Sequence, residues 1–215
     1  MKSLLILGGG GHAKVVVDAL LAAGAGVAGF LDRNPDIQRL LGIDRLGDAD
    51  PETFGLYSPA EILLVNGFGS TGRGRLRAVQ YERWKERGFQ FATVIHPSAI
   101  VSAFALLEEG VQIMAGAVIQ AGCVLGENAL LNTSVVVDHD CRIGKHAHVA
   151  TGAALSGGVQ VGDGAHVGTG VSVIQGIKIG TNSVVGAGSV VVRDVPADCR
   201  VMGVPAHHNT VPAKG

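Results

Sequence analysis

One column of residues governs what this chain can fold into. Counting in sixes from Ile95 to Val191 meets only Ile, Leu or Val, at all seventeen positions. Four residues beyond each lies a second column, small or aliphatic throughout, running from Ala99 and Ala105 through Cys123 and Cys141 to Val195. No residue is inserted or lost along the run. A period of six is neither the 3.6 of a helix nor the 2 of a plain strand. It describes a short strand followed by a corner, with one large apolar side chain turned inward on each side.

Glycine sets the number of sides. Gly126, Gly144, Gly162 and Gly180 recur every 18 residues, as do Gly168 and Gly186. They are read as the sharp corners, because glycine takes positive φ without strain. Asn132, at an equivalent position, belongs to the residues that best tolerate that region. One coil is then 18 residues with three flat sides, a triangular prism in which residues 18 apart stack at the inter-strand spacing of about 4.8 Å. The run from 95 to about 196 makes between five and six coils. Each coil needs its neighbours to bury the apolar column. The abundance of glycine, 33 of 215 residues against an average near 7 %, and the scarcity of aromatics, 4 %, agree with a regular, tightly turning backbone.

The first 92 residues obey a different rule. Ser3–Leu7 is a short apolar strand followed by the loop Gly8-Gly9-Gly10-Gly11-His12, then a helix over Ala13–Ala23 stopped by Gly24. Val27–Leu31 is a second strand ending at Asp32, and Ile62–Val65 a third. Gly74–Arg87 is a charged helix carrying Leu76, Val79 and Trp84, closed by Gly88, and Phe89–Ile95 is a last strand. Loops and one short helix are expected in 33–60. Strand–loop–helix–strand order implies a small parallel sheet with helices against it. The expected division is a Rossmann-like domain over 1–92 and a parallel β-helix over 93–215.

Charge excludes some functions. Seventeen basic residues against 18 acidic ones leave no footprint for nucleic acid and no polybasic stretch for a membrane surface. No apolar run reaches the roughly 20 residues that span a bilayer, and no signal peptide is seen. The three cysteines fit a reducing cytoplasm better than a disulfide framework. Cys123 and Cys141 read as small core residues of the second column, not nucleophiles.

Several segments together resemble the hexapeptide-repeat sugar acetyltransferases, typified by the bacterial UDP-4-amino-sugar N-acetyltransferases and the sialic-acid O-acetyltransferase-like proteins. They are Leu5-Ile6-Leu7-Gly8-Gly9-Gly10-Gly11-His12-Ala13, Gly29-Phe30-Leu31-Asp32, Ile95-His96-Pro97-Ser98-Ala99, Leu131-Asn132-Thr133-Ser134, Asp138-His139-Asp140-Cys141 and Gly203-Val204-Pro205-Ala206. The resemblance spans nearly the whole chain. It implies a left-handed β-helix, against the right-handed rule for parallel crossovers, acetyl-CoA as co-substrate, and a homotrimer with its active site between adjacent β-helices.

Acetyl transfer to an amine needs a base that takes a proton as nitrogen attacks the thioester, and histidine suits this near neutral pH. The resemblance assigns that task to His139, with Asp140 raising its basicity. Neighbours on an ordinary strand point to opposite faces, so this pair requires a corner. The resemblance also places His148 against acetyl-CoA, with backbone contacts from Gly157 and Thr169. His166 is expected to be a solvated edge residue, and His146 is assigned no role. Four histidines within 28 residues raise a zinc site as a rival. Zinc needs three or four converging ligands, and the His139–Asp140 pairing favours base chemistry, so no metal is expected.

Gly8-x-Gly10-x-x-Ala13 after a strand, with Asp32 about twenty residues later, fits a dinucleotide fingerprint. A nucleotide-diphosphate sugar carries the same pyrophosphate, and glycines with a helix N-terminus serve it equally. The resemblance places the nucleotide sugar on Gly10, Gly11, His12, Asp32 and Gly67, and the coil count puts Asn132 near the sugar. Arg33 departs from a second acidic residue found in some family members, and 66–73 is unusually glycine-rich and basic, so UDP and GDP carriers are both open. The expected activity is acetyl-CoA-dependent N-acetylation of a nucleotide-linked amino sugar, feeding glycan or surface-polysaccharide synthesis. The alternatives are O-acetylation of a sugar such as sialic acid, and a non-enzymatic trimeric scaffold with a nucleotide-sensing domain.

Overall fold

The computed structural model describes residues 2–50, 58–70 and 75–208. It opens with β1 (Ser3–Leu7), α1 (Gly11–Ala22) and β2 (Val27–Leu31). A hairpin of β3 (Arg39–Leu40) and β4 (Ile43–Gly47) follows, then β5 (Ile62–Asn66) and α2 (Leu76–Lys85). The sheet order is β3-β4-β2-β1-β5. β1 lies between β2 and β5, parallel to both, and β2 pairs in parallel with β4. Being covered on both faces, β1 is apolar along its length, with Leu5, Ile6 and Leu7 fully buried. Gly24 and Gly88 take positive φ after the two helices, as their place in the sequence predicts.

Two expectations fail here. Among the described residues of 33–60 there is no helix; the β3–β4 hairpin takes its place, turning through Leu41 and Gly42, both at positive φ. The strand expected over Phe89–Ile95 is broken: Phe91 makes an isolated bridge to Leu64, while Val94–Ile95 already belongs to the solenoid. α2 also docks by an unexpected face. Leu76 and Val79 are exposed, whereas Arg77, Gln80, Tyr81 and Trp84 are buried.

From Val94 the chain is a left-handed parallel β-helix. Two-residue strands succeed one another every six residues and pair with the strands 18 residues away. The first face starts at Val94–Ile95, the second at Ile100–Val101 and the third at Leu106–Leu107. From Ile113 to Val191 every member of the six-residue column is buried, as are its small partners from Val111 to Val195. Only the first coil is open, where Ile95 is 39 % exposed because no coil lies beneath it. A short antiparallel hairpin, Arg200–Met202 with His207–His208, closes the far end.

The corners are not where the sequence put them. Positive φ falls at Gly110, Gly116, Gly122, Asn128, Ser134, Asp140, His146, Gly152, Gly158, Gly164, Gly170, Gly176, Asn182 and Gly188, three residues after each inward position. Gly126, Gly144, Gly162, Gly180, Gly168, Gly186 and Asn132 do not adopt it. Those glycines are required for space instead. A Cβ on Gly162 would stand 2.5 Å from the amide nitrogen of Thr181 and 2.9 Å from the carbonyl carbon of Gly180, in the next coil.

The N-terminal sheet and α1 cover the first face. Ile6, Val16, Val17 and Phe30 share one apolar cluster with Val94, Met114 and Leu130. A polar seam runs beside it. The buried Gln112 donates to the carbonyl of Asn66 (2.7 Å) and pairs with His12 Nε2 (2.9 Å). Asn66 donates to Asn128 Oδ1 (3.1 Å), and the buried Arg77 donates to the carbonyls of Asn66, Phe68 and Asn128. His146 pairs with Glu82 of α2 through Nε2 and with Asn128 through Nδ1.

Candidate active site

His139 stands at the corner between the second and third faces, its side chain 64 % exposed. Asp140 follows at φ 61°, and this left-handed step swings two consecutive side chains to the same side. His139 Nδ1 lies 2.8 Å from Asp140 Oδ2, and Asp138 Oδ1 accepts from the His139 backbone N–H at 2.8 Å. With Nδ1 protonated towards Asp140, Nε2 keeps its lone pair. The hydrogen bond that Nδ1–H donates to Asp140, then the charge of Asp138, raise the histidine above its ordinary pKa. Gly157, one coil further on, faces the ring.

His148 belongs to the first face. It is 6 % exposed, and Nδ1 lies 3.0 Å from the Ser70 carbonyl, to which it must donate. Nε2 then accepts from Asn132 Nδ2 at 3.4 Å, while Asn132 Oδ1 accepts from the Thr133 N–H at 2.8 Å. Burial, assisted by His166, Arg77 and His12, pushes His148 down to about 3. His166 corrects the sequence reading. It meets His148 edge to face with ring centroids 4.8 Å apart, its Nδ1 is buried without a hydrogen-bond partner among the described residues, and burial lowers its pKa.

Gly11, His12, Asn132 and His148 line one cavity of about 430 Å³, together with Val15, Gly69, Ser70, Leu130, Thr133 and Thr151. The sequence reading thus selected four of its walls and missed Ser70, Thr133 and Thr151, which stack by the same 18-residue count or lie in the glycine-rich stretch. No structure is described for 71–73 of that stretch. His12 is held by Gln112, and burial followed by the charge of Arg77 pushes it down to about 4. Gly10 and Gly11 face open space at the N-terminus of α1, which lacks a side-chain cap.

Asp32 is engaged locally. Its carboxylate accepts from the backbone N–H of Gly9 (2.5 Å) and Asn34 (2.7 Å), which shapes the glycine loop. Gly67 is a packing glycine: a Cβ there would meet the Leu7 carbonyl oxygen at 2.7 Å and Ala13 Cβ at 3.0 Å. Thr169 continues the corner of Thr133 and Thr151, one coil above Thr151. A second concavity of about 410 Å³ runs along the third face past Arg142, Gln160 and Lys178 and holds none of the predicted residues.

Within one chain, His139 and the cavity therefore occupy opposite ends of the second face. That face points Ile100, Val118, Val136, Ala154, Ser172 and Val190 outward, and Ile100 is 67 % exposed.

Comparisons with known proteins bear on this arrangement. Residues 3–71 match the family model of the PglD N-terminal domain, and residues 134–175 and 172–193 match the hexapeptide repeat of succinyl-transferase. Curated protein sequences yield no match. Among solved structures, the chain is similar to perosamine N-acetyltransferase from Caulobacter crescentus in complex with CoA and GDP-perosamine, at 41 % identity over 97 % of this chain and 98 % of that one, with a TM-score of 0.86. It is similar to the acetyltransferase domain of PglB from Neisseria gonorrhoeae in complex with acetyl coenzyme A, at 33 % identity over 97 % and 99 % of the two chains, with a TM-score of 0.89. WeeI from Acinetobacter baumannii shares the fold, with 22 % identity over 97 % and 100 % and a TM-score of 0.85. By sequence, coil geometry and these likenesses, the chain belongs to the hexapeptide-repeat acetyltransferase family.

Proposed function

We propose that this protein transfers the acetyl group of acetyl-CoA to the amine of a nucleoside-diphosphate-linked amino sugar, with His139 as general base. The observation that carries the proposal is the His139–Asp140 pair, exposed at a rigid corner with Nε2 free to accept. The N-terminal cavity, bounded by the uncapped start of α1 and by His12, Asn132 and His148, would hold the nucleotide sugar, with Gly10 and Gly11 open to the pyrophosphate. The relative from Caulobacter crescentus, 41 % identical, holds GDP-perosamine, and this favours a GDP-linked 4-amino sugar over a free sialic acid.

The reaction follows from these groups. The amine nitrogen attacks the thioester carbonyl while its proton passes to Nε2 of His139. Asp140 stabilises the imidazolium that results. The tetrahedral oxyanion needs a donor. The Gly157 N–H, beside the imidazole and without a partner among the described residues, is suited to the task. Collapse expels CoA as thiolate, which recovers the proton from His139. His148 and Thr169 are proposed to face acetyl-CoA, and Gly67 and Asp32 to hold the loops around the nucleotide.

The reading also requires a trimer. The first face is covered by the N-terminal sheet, and the third carries Arg142, Gln160 and Lys178. The second carries no covering element among the described residues and is largely apolar, and pairing it with another copy would bring His139 of one protomer to the cavity of the next. A panel of GDP- and UDP-linked amino sugars and free sialic acids, assayed with acetyl-CoA, tests the substrate. Turnover confined to nucleotide-linked amines is expected; acetylation of sialic acid alone would reverse the assignment. His139→Ala should lower kcat by about 100-fold or more with the fold intact, and near-normal turnover would remove the base.

A further inference from the structure

The two side chains of the dyad rest on two glycines, of which Gly122 is also a positive-φ corner and Gly157 is not. Gly157 lies one coil above His139 and does not have positive φ, so alanine would suit its backbone. Yet a Cβ there would stand 2.6 Å from Cε1 and 2.7 Å from Nε2 of the His139 ring. Gly122 lies one coil below Asp140, and a Cβ there would strike Asp140 Oδ1. Among the other positive-φ corner glycines, Gly152, Gly170 and Gly188 face open space, while Gly164 stands beneath Asn182 as Gly122 stands beneath Asp140, a Cβ there lying 2.7 Å from Asn182 Oδ1. The histidine and its carboxylate are thus each seated on bare backbone, from opposite sides along the coil axis.

We infer that Gly122 and Gly157 are positioning residues that seat the Asp140 carboxylate and the His139 imidazole, so that Nδ1 meets Asp140 and Nε2 keeps one direction. This rests on the general-base reading for its kinetic consequence, though not for its geometry. His139 is an exposed side chain able to swing, so a methyl at 157 would displace the ring without disturbing the buried columns. At 122 the methyl would push Asp140 away from Nδ1. The charged groups facing His139 are Asp138 and Asp140, with the buried thiols of Cys123 and Cys141 behind them.

The experiment compares Gly157→Ala, Gly122→Ala and Asp140→Asn in the full-length enzyme. Gly157→Ala should lower kcat by about 100-fold, the scale of an ångström-sized misplacement, with KM for both substrates nearly unchanged. Gly122→Ala should reproduce Asp140→Asn: kcat falls, and the acidic limb of the kcat/KM profile moves to lower pH, because the histidine loses the partner that raises it. NMR of the His139 imidazole, titrated without substrate, reads the seat directly, and Gly122→Ala should move its pKa downward. Because Gly122 has φ +75° and alanine there is strained, the NMR arm and Gly157→Ala keep the inference testable should Gly122→Ala unfold. Wild-type kcat in Gly157→Ala, or a rise in KM for acetyl-CoA alone, would overturn the seat at 157; an unmoved His139 titration in folded Gly122→Ala would overturn the seat at 122. If His139→Ala keeps turnover while the imidazole shifts as described, the seat stands and the base assignment falls.

Discussion

At the scale of single residues, the cavity is defined by protonation. His148 gives its Nδ1–H to the Ser70 carbonyl and takes Asn132 Nδ2 on Nε2, an arrangement only the neutral ring can make. His12 likewise gives Nε2–H to Gln112. Arg77 behind them is buried against carbonyls and makes protonation of either ring costly. The folded values of about 4 for His12 and about 3 for His148 lie below the ordinary 6.5. The unfolded chain therefore binds more protons than the folded one as pH falls below about 6.5, and stability drops in that direction. Above 6.5 both rings are neutral in either state and their contribution is complete. Each depressed histidine is worth on the order of a few kcal/mol across the window. Urea unfolding at pH 7.5, 5.5 and 4.5 should show a falling midpoint. His148→Asn, which keeps a donor for Ser70 and does not titrate, should flatten the fall. An unchanged slope in that variant would remove His148 from the account.

At the scale of the element, glycine does two different jobs in one coil. At Gly170 it supplies positive φ in open space, and Gly170→Ala should cost about 1–2 kcal/mol in backbone strain alone. At Gly162 the backbone is ordinary but the next coil lies where a Cβ would go, and nothing but main chain is available to yield. Gly162→Ala should cost more, about 3 kcal/mol or above, the range of core overpacking and beyond. Thermal unfolding of the two variants side by side tests the order, and an equal loss would refute the distinction. The period of six was legible because every inward position repeats the same burial. The phase of the corner was not, because Asn128, Ser134, Asp140, His146 and Asn182 also hold the left-handed position, at a strain that glycine avoids, which interrupts the glycine column in composition. The same limit applies to α2: Leu76 and Val79 look like its buried face, yet Arg77 and Tyr81 are drawn inward by the carbonyls of 66, 68 and 128, which no local pattern announces. His139 and Asp140 were legible as neighbours needing a corner. Ser70 was not legible as a partner of His148, because 78 residues separate them and the pairing depends on how the sheet lies on the first face.

At the scale of the molecule, three faces have three fates. One is buried by the N-terminal sheet, one carries cations and amides, and one is left apolar with half the proposed machinery at each edge. A heterologous contact through that face closes into a ring when the rotation is right, and every interface then joins a His139 to a neighbour's Asn132–His148 cavity. This has a consequence that a self-contained monomer lacks. His139→Ala and a cavity variant such as Asn132→Ala should each be nearly inactive alone. Mixed at equal amounts and reassembled from a reversibly dissociated state, they should recover activity, because some interfaces pair an intact histidine with an intact cavity. For random assembly about a quarter of the sites are whole, so about a quarter of wild-type activity is expected. Light scattering should give three copies for the wild type, and Val136→Arg, placed in the middle of the bare face, should yield a folded but dissociated and inactive chain. Mixtures that stay as inactive as their components, with trimers formed, would mean that His139 acts within its own chain, across a face that the fold gives it no way to cross.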